Sequence, residues 1–339
     1  MNSSEAALMP DSWKQWIATN LALGLSTDAL VSVLAANEFA EDEARSEVQL
    51  ASGHAYVAAS KSLVRLLNKK DWFFHLRREL ERTSTGPLVP RKSRLSGEEF
   101  LTEYYSQNRP VVITDVLSRW PAMSRWNREY FDATCGSQVV EIQSGRNRDP
   151  RYEVNSAQHK TLMSFPDYVA MVYDAGQTND HYMTANNSGV NEAALAALWQ
   201  DVDYLPEYLR PEEHRGRAFF WMGPGGTVTP VHHDLTNNFM AQVIGRKLVK
   251  LISPAHLPLV YNDFHCYSAV DLNAIDYARY PLFQHVHIEE VVLEPGELLF
   301  LPVGWWHHVT SLDVTVTLTF TNFRWNNDFM AYYKSLGPI

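Results

Sequence analysis

The stretch Glu294–Val309 reads EPGELLFLPVGWWHHV, and it decides much of the fold. A Pro-Gly pair introduces the apolar run Leu298–Leu301, and a second turn with Pro and Gly leads into a run of aromatic residues and histidines. Pro and Gly mark turns because one restricts and the other frees the backbone angles. The stretch therefore predicts a strand, a turn and a second strand of an antiparallel structure.

The same pattern extends over the C-terminal part of the chain. From about Ala218 onward, short runs with a period of two are separated by Gly and Pro turns. The predicted strands are Phe219–Met222, Phe239–Ile244, Lys247–Ile252, Val291–Leu293, Leu298–Leu301 and Val314–Phe320. Many short strands joined by such turns predict a mainly β core, as an antiparallel barrel or sandwich.

The N-terminal region has a different pattern. Apolar residues between Asp11 and Arg82 recur with helical spacing, and short polar connections between them predict a small helical bundle. A basic segment rich in turn residues, Thr83–Arg94, follows as the predicted linker. We therefore divide the chain into residues 1–90 and 91–339. No feature of the bundle demands catalysis, so we expect docking or dimerisation there, with a homodimer as the candidate assembly.

The composition limits the choice of partner and compartment. The 339 residues include 29 Lys and Arg and 39 Asp and Glu, a formal net charge of −10. An acidic chain is poorly suited to neutralising a phosphate backbone, which argues against nucleic acid as a partner. Two cysteines cannot form a disulfide scaffold. No apolar run reaches the roughly 18 residues of a membrane span, so we expect a cytoplasmic protein without a membrane partner.

A candidate metal site emerges from two distant segments. In the extended segment before Asp234, residues i and i+2 share a face, so His232 and Asp234 are expected to point to one place. His307 is available as a second imidazole from the stretch quoted above. Two imidazoles and one carboxylate leave coordination positions open, as in non-haem Fe(II) oxygenases. A rival set, His285, His287 and Glu289, also lies on one predicted strand face.

Three segments carry a resemblance to a known family: TPVHHDLTNNFMAQVIGRK (residues 229–247), DYARYPLFQHV (276–286) and the stretch 294–309. With them, the chain resembles the JmjC branch of the Fe(II)/2-oxoglutarate-dependent oxygenases in the cupin superfamily. It is most similar to the factor-inhibiting asparaginyl hydroxylase type. The resemblance implies a double-stranded β-helix, or jelly roll, with flanking helices. It also implies Fe(II) as cofactor, with 2-oxoglutarate and O₂ as cosubstrates.

The resemblance assigns the main residues of the site. His232, Asp234 and His307 become the iron ligands and thus the catalytic set. Lys247 falls where the family places the lysine that pairs with the distal carboxylate of 2-oxoglutarate. A buried cation on a strand would need such an anion.

Further residues are assigned to the cosubstrate by the same resemblance. Thr229 and Tyr182 would donate their hydroxyls to the distal carboxylate, and Asn238 matches a polar position beside it. On the last strand, spacing favours Thr319, whereas the Asn-Phe pair favours Asn322. Neighbouring strand residues face opposite ways, so a bulge would decide between these two.

The implied reaction is hydroxylation of an unactivated C–H bond of a protein or peptide side chain, with release of succinate and CO₂. One alternative is an N-methyl-lysine demethylase, and another is a hydroxylase of small-molecule or peptide natural products. An alternative of a different class is a non-catalytic cupin-like binding module. The complete set of His232, Asp234, His307 and Lys247 favours an enzyme, because a binding module has no need of all four.

Overall fold

The computed structural model describes residues 9–262, 264–330 and 333. The chain forms two compact units, which divide between Arg82 and Thr83. This division precedes the predicted boundary at residue 90. Within the second unit, Val89 is buried in one cluster with the strand residues Val249 and Leu299, so the last residues assigned to the bundle pack with the β domain.

The first unit contains the predicted helical bundle. Its helices are α1 (Asp11–Leu23), α2 (Thr27–Ala36), α3 (Glu41–Ser52) and α4 (Ala55–Arg82). Gly24 ends α1 with φ +96°, a left-handed conformation that glycine adopts without strain. The Ser26 side chain accepts the Ala29 N–H and so caps the start of α2. The buried core comprises Met9, Ile17, Leu21, Leu30, Val31, Leu34, Ala44, Val48 and Val57.

Helix α4 contributes little to this core, since Val57 is its buried residue there. Apolar side chains further along the helix, such as Leu63 and Trp72, are exposed. The expected homodimer through these helices stays a prediction. Among the described residues, no helix combines the length and the apolar character needed to cross a membrane.

The second unit is built from short strands. They are β1 (Arg91–Lys92), β2 (Val111–Ile113), β3 (Val139–Ser144), β4 (Lys160–Ser164), β5 (His181–Tyr182), β6 (Ala218–Gly223), β7 (Val228–His233), β8 (Asn238–Ile244), β9 (Lys247–Ile252), β10 (Glu289–Leu293), β11 (Leu298–Leu301), β12 (Trp306–Ser311) and β13 (Thr315–Phe320). Three sheets result, with orders β1-β2-β11-β8-β13-β6, β10-β9-β12-β7 and β4-β3-β5. Apart from the parallel pair β1–β2, the strand pairs are antiparallel. The two larger sheets confirm the predicted double-stranded β-helix.

The two larger sheets share an apolar layer. Met240 and Leu299 from the six-stranded sheet are buried together with Val249 and Val309 from the four-stranded sheet. All four residues of β11 are buried, which explains why that run is uniformly apolar rather than alternating. The flanking helices are α5 (Gly97–Phe100), α6 (Ala122–Arg125), α7 (Arg128–Cys135), α8 (Phe165–Asp174) and α9 (Ser188–Ala194). Their aromatic residues, among them Phe100, join a larger core with Phe300 and Phe320.

Candidate metal and cosubstrate site

Neighbouring strands β7 and β12 bring the predicted triad together. His232 on β7 lies directly opposite His307 on β12, and the centroids of their rings are 4.1 Å apart. Asp234 follows the end of β7, with its Oδ1 at 3.7 Å from His232 Nε2. Ligand atoms of the three residues lie within 4.8 Å of one another, and no other such group of three His, Cys, Asp or Glu occurs among the described residues.

Backbone carbonyls fix the tautomer of both imidazoles. His232 Nδ1 lies 2.9 Å from the Pro230 carbonyl oxygen, and His307 Nδ1 lies 3.1 Å from that of Trp305. A carbonyl oxygen only accepts, so each Nδ1 carries the proton. Each Nε2 is then left with a free lone pair, which is what a metal ligand requires.

Burial keeps the site in the right charge state for a cation. Desolvation lowers the pKa of His307 to about 3, so its imidazole is neutral at pH 7 and can donate its lone pair. Asp234 supplies the carboxylate. Two imidazole nitrogens and a carboxylate oxygen suit Fe(II) and leave positions for further ligands.

The rival set on the predicted strand at residues 285–289 does not converge in the same way. His285 ends a short 3-10 helix, and the His287 side chain is 65% exposed. Glu289 opens β10, with its Oε2 at 3.7 Å from His287 Nε2. These residues form a two-membered contact near the surface, and they do not form a three-ligand group.

A register shift in the pairing of β7 and β12 explains how Thr229 reaches the same cavity as His232. His307 pairs with His232, but Val309 pairs with Thr229, so three steps on β7 face two steps on β12. The extra residue on β7 falls near Pro230, which cannot donate a ladder hydrogen bond and is tolerated at such an irregularity. Strict alternation would have turned Thr229 away from the cavity.

Lys247 provides the strongest electrostatic feature of the cavity. It opens β9 and is 2% exposed. Its Nζ donates to the Tyr182 hydroxyl at 3.0 Å and lies 6.0 Å from the centroid of the Trp221 ring. Within the described residues, no carboxylate lies within ion-pair distance of Lys247. A buried ammonium without a counter-ion is costly, so the cavity suits an anionic ligand such as 2-oxoglutarate.

Asn238 connects the metal triad with the rest of the cavity. Its Nδ2 donates to Asp234 Oδ2 at 3.3 Å. Its Oδ1 is buried and has no hydrogen-bond partner in the described part of the chain. An unpartnered buried acceptor beside the triad is consistent with a polar ligand in the cavity.

The two alternatives on the last strand lie in different places. Thr319 lines the cavity, and its Oγ1 accepts a hydrogen bond from Trp221 Nε1 at 2.9 Å. Asn322 follows the end of β13, and its Nδ2 donates to the Arg210 carbonyl at 2.7 Å. Thr319 therefore shares the cavity with the triad, whereas Asn322 lies outside the cavity lining.

The cavity is lined by Tyr182, Trp221, Thr229, His232, Asp234, Asn238, Met240, Lys247, His307, Val309, Thr317 and Thr319. Four of these residues were not predicted from the sequence: Trp221, Met240, Val309 and Thr317. A signal for two of them was present, because Thr317 is two residues before Thr319 and Met240 is two residues after Asn238, which places each pair on one strand face. Trp221 depends on the pairing of β6 with β13, which the sequence does not reveal.

Comparisons with known proteins agree with this geometry. The sequence profile of the cupin-like domain matches residues 97–329. The lysine-specific demethylase 8 of Xenopus tropicalis is 28% identical over 245 residues, which cover 68% of this chain and 52% of that protein. A lysine-specific demethylase of Arabidopsis thaliana is 31% identical over 266 residues, covering 73% of this chain and 57% of that protein.

A third relative, the JmjC domain-containing protein D of Dictyostelium discoideum, is 29% identical over 258 residues, covering 68% of this chain and 55% of that protein. The chain therefore spans little more than half the length of these relatives. None of these three relatives is named as an asparaginyl hydroxylase. They support the JmjC superfamily, and they do not support the asparaginyl hydroxylase type in particular. Since the profile match extends over well more than half of the sequence, the chain belongs to the cupin-like domain family, within the JmjC oxygenase superfamily.

Proposed function

We propose that this chain is an Fe(II)- and 2-oxoglutarate-dependent oxygenase that hydroxylates a C–H bond of a protein or peptide side chain. The observation that carries the proposal is one cavity that holds both the His232, Asp234 and His307 triad and a buried lysine, Lys247, for which the described part of the chain offers no carboxylate partner. The triad suits the metal, and Lys247 suits the anionic end of the cosubstrate.

Each part of the cavity has a task in this proposal. The Nε2 atoms of the two histidines and the Asp234 carboxylate would hold iron. Lys247 and Tyr182 would bind the distal carboxylate of 2-oxoglutarate, with Thr229 as a further donor. When bound, iron supplies the oxidising chemistry that uses O₂ and 2-oxoglutarate and releases succinate and CO₂. The protein orients the reactants and excludes water.

The substrate that we favour is an N-methyl-lysine side chain. Hydroxylation of an N-methyl C–H bond gives a hemiaminal, which breaks its C–N bond to release formaldehyde and the amine. The support is that two of the relatives are named lysine-specific demethylases. The chain's charge of −10 also favours a cationic peptide over a nucleic acid. Asparaginyl hydroxylation has no such support.

The activity is tested by incubating the purified protein with Fe(II), 2-oxoglutarate and O₂ and measuring succinate. We expect turnover in the wild type and its loss in His232→Ala, because a metal ligand is missing. The matched control is His287→Ala, which removes an exposed histidine of the rival set and should preserve turnover. Equal activity in wild type and His232→Ala would contradict the metal assignment, and loss in His287→Ala would move it to the rival set.

The substrate is tested with paired peptides that differ only in lysine methylation. Mass spectrometry should find loss of a methyl group, together with formaldehyde, from the methylated peptide and not with the His232→Ala variant. Gain of an oxygen on an unmethylated peptide would instead identify a stable hydroxylation.

A further inference from the structure

A guanidinium is fully buried next to the cavity, although it is not part of the lining. Arg146 follows Gly145 at the end of β3 and is 0% exposed. Since β3 pairs with β5 at Gln143 and Tyr182, the chain leaving β3 passes behind the tyrosine that bonds Lys247. Burying a cation is costly, so its position calls for a physical reason.

Arg146 lies against two aromatic rings. Its Cζ is 4.4 Å from the centroid of the Tyr152 ring and 5.1 Å from that of the Tyr182 ring. Arginine stacks on aromatic faces, and such contacts strengthen when water is excluded. Arg146 thereby holds the Tyr182 ring from one side, while the Tyr182 hydroxyl accepts a hydrogen bond from Lys247 Nζ in the cavity.

The same guanidinium also holds the start of β7. Its Nη2 donates to the Val228 carbonyl at 2.8 Å, and the Val228 N–H donates to Asn179 Oδ1 at 2.8 Å. Val228 is thus fixed through both backbone groups by side chains from outside β7. The next residue is Thr229, which lines the cavity.

Arg146 has few polar partners of its own. Its Nη2 lies 3.4 Å from Glu153 Oε2, and the two buried side chains form an ion pair. Nε and Nη1 have no hydrogen-bond partner among the described residues. The Glu153 carboxylate thus compensates the charge of Arg146, and the contacts with Tyr182, Tyr152 and Val228 place its guanidinium.

We infer that Arg146 is a positioning residue for the end of the cavity that binds the distal carboxylate of 2-oxoglutarate. It sets the Tyr182 ring and the start of β7, so that the Tyr182 and Thr229 hydroxyls point to one carboxylate. The inference rests on the proposed function, since it concerns the binding of that cosubstrate. This role requires the planar guanidinium of arginine, because a single group must stack on two aromatic rings and also donate a hydrogen bond to a carbonyl oxygen.

The test is the dissociation constant of 2-oxoglutarate, measured by calorimetry without O₂ on protein loaded with Mn(II). Arg146→Met keeps a long unbranched side chain but removes the guanidinium, and we expect the affinity for 2-oxoglutarate to fall about tenfold. Arg146→Lys keeps the positive charge but lacks the planar guanidinium, so its binding of 2-oxoglutarate should be weakened to a similar extent. Full affinity in Arg146→Lys would show that charge alone matters and would overturn the inference.

A second measurement separates positioning from general damage. In a Tyr182→Phe/Thr229→Val background the two hydroxyls are gone, so adding Arg146→Met should change the affinity less than about twofold. A tenfold effect that persists there would refute positioning through these hydroxyls. The control for destabilisation is Asp201→Asn, which alters a buried carboxylate that bonds Arg125, Trp126 and Tyr130 and should leave the affinity unchanged.

Different results would refute the proposed function and the role of Arg146. If the Mn(II)-loaded wild type does not bind 2-oxoglutarate, the proposed function is wrong. If the wild type binds it and Arg146→Met binds it equally well, the proposed function stands and the role of Arg146 is refuted.

Discussion

The two faces of the four-stranded sheet carry the same residue types with different outcomes. His232 and His307 line the cavity, and each presents a free Nε2 because its Nδ1 is bonded to a backbone carbonyl. Their chain neighbours His233 and His308 are buried, but they lie outside this cavity. His233 packs edge-on against Trp306, and both ring nitrogens of His308 lack hydrogen-bond partners in the described residues.

The difference indicates what makes a histidine a candidate ligand in this fold. His233, His307 and His308 are all buried, whereas His232 is half-buried, so burial does not separate the cavity histidines from their neighbours. The ligand pair is selected by strand alternation and by a cross-strand register that sets one imidazole opposite the other. Strand alternation also separates the two lysines of β9. Lys247 lines the cavity, whereas Lys250 Nζ donates a hydrogen bond to the Leu272 carbonyl oxygen.

The largest expected difference between the faces is in iron binding. His307→Ala removes one of three ligands, and we expect the iron affinity to fall by more than about 100-fold, since even outer-shell partners matter by 10- to 100-fold. His308→Leu removes an imidazole outside the cavity, whose ring nitrogens bond to none of the described residues, so iron binding should be retained. Iron content after dialysis and spectroscopic titration check both variants. Equal losses in the two variants would mean that the faces do not differ in this way.

The two faces should also differ in the binding of 2-oxoglutarate, through Lys247 and Lys250. Lys247→Ala should weaken 2-oxoglutarate binding by roughly 30-fold or more, because removing one partner of a buried charge pair costs about 2–5 kcal/mol. Lys250→Ala is the matched control on the opposite face and should bind the cosubstrate normally. Titration calorimetry on Mn(II)-loaded protein measures both. Iron content should remain unchanged in Lys247→Ala, and a parallel loss of metal would point to a damaged fold.

The smallest effect concerns the stability of the metal-free protein. Burial lowers the pKa of His307 to about 3 and that of His308 to about 4, against about 6.5 in the unfolded chain. As the pH falls, the unfolded chain therefore takes up protons first. The contribution of these two histidines to the free energy of unfolding is present above about pH 6.5 and is lost as the pH falls toward 4. Each histidine contributes a slope of up to about 1.4 kcal/mol per pH unit.

Denaturant unfolding of the metal-free protein between pH 7.5 and pH 5 measures this slope. The His308→Gln variant lacks one of the two groups, so its stability should depend less steeply on pH than that of the wild type. Identical slopes would show that His308 is not held neutral by the fold.

The fold class and the ligand set were accessible from local patterns. Turn residues around short apolar runs predicted the β domain, and helical spacing predicted the N-terminal bundle, because each pattern reflects which side of an element is buried. The spacing of His232 and Asp234 placed them together, since both belong to one nearly extended segment. His307 was located by its place after the last turn and by the family resemblance.

Other parts of the site depended on details that local patterns do not contain. The register shift opposite Val309 turns Thr229 inward, and the end of β13 leaves Asn322 outside the cavity while Thr319 lines it. Trp221 reaches the cavity through a strand pairing. Such features depend on how separate segments align, so one residue's difference in register changes the face that a side chain occupies.

The sequence by itself determined the residue types and their local spacing: an antiparallel β domain after a helical region, and two histidines and an aspartate suited to Fe(II). Only the tertiary structure decided that Thr229 shares the cavity with His232, that Lys247 has no carboxylate within ion-pair distance among the described residues, and that Arg146 lies behind Tyr182. The physical reason is that spacing along the chain fixes directions within one strand, whereas distances between strands are fixed by pairing register and packing.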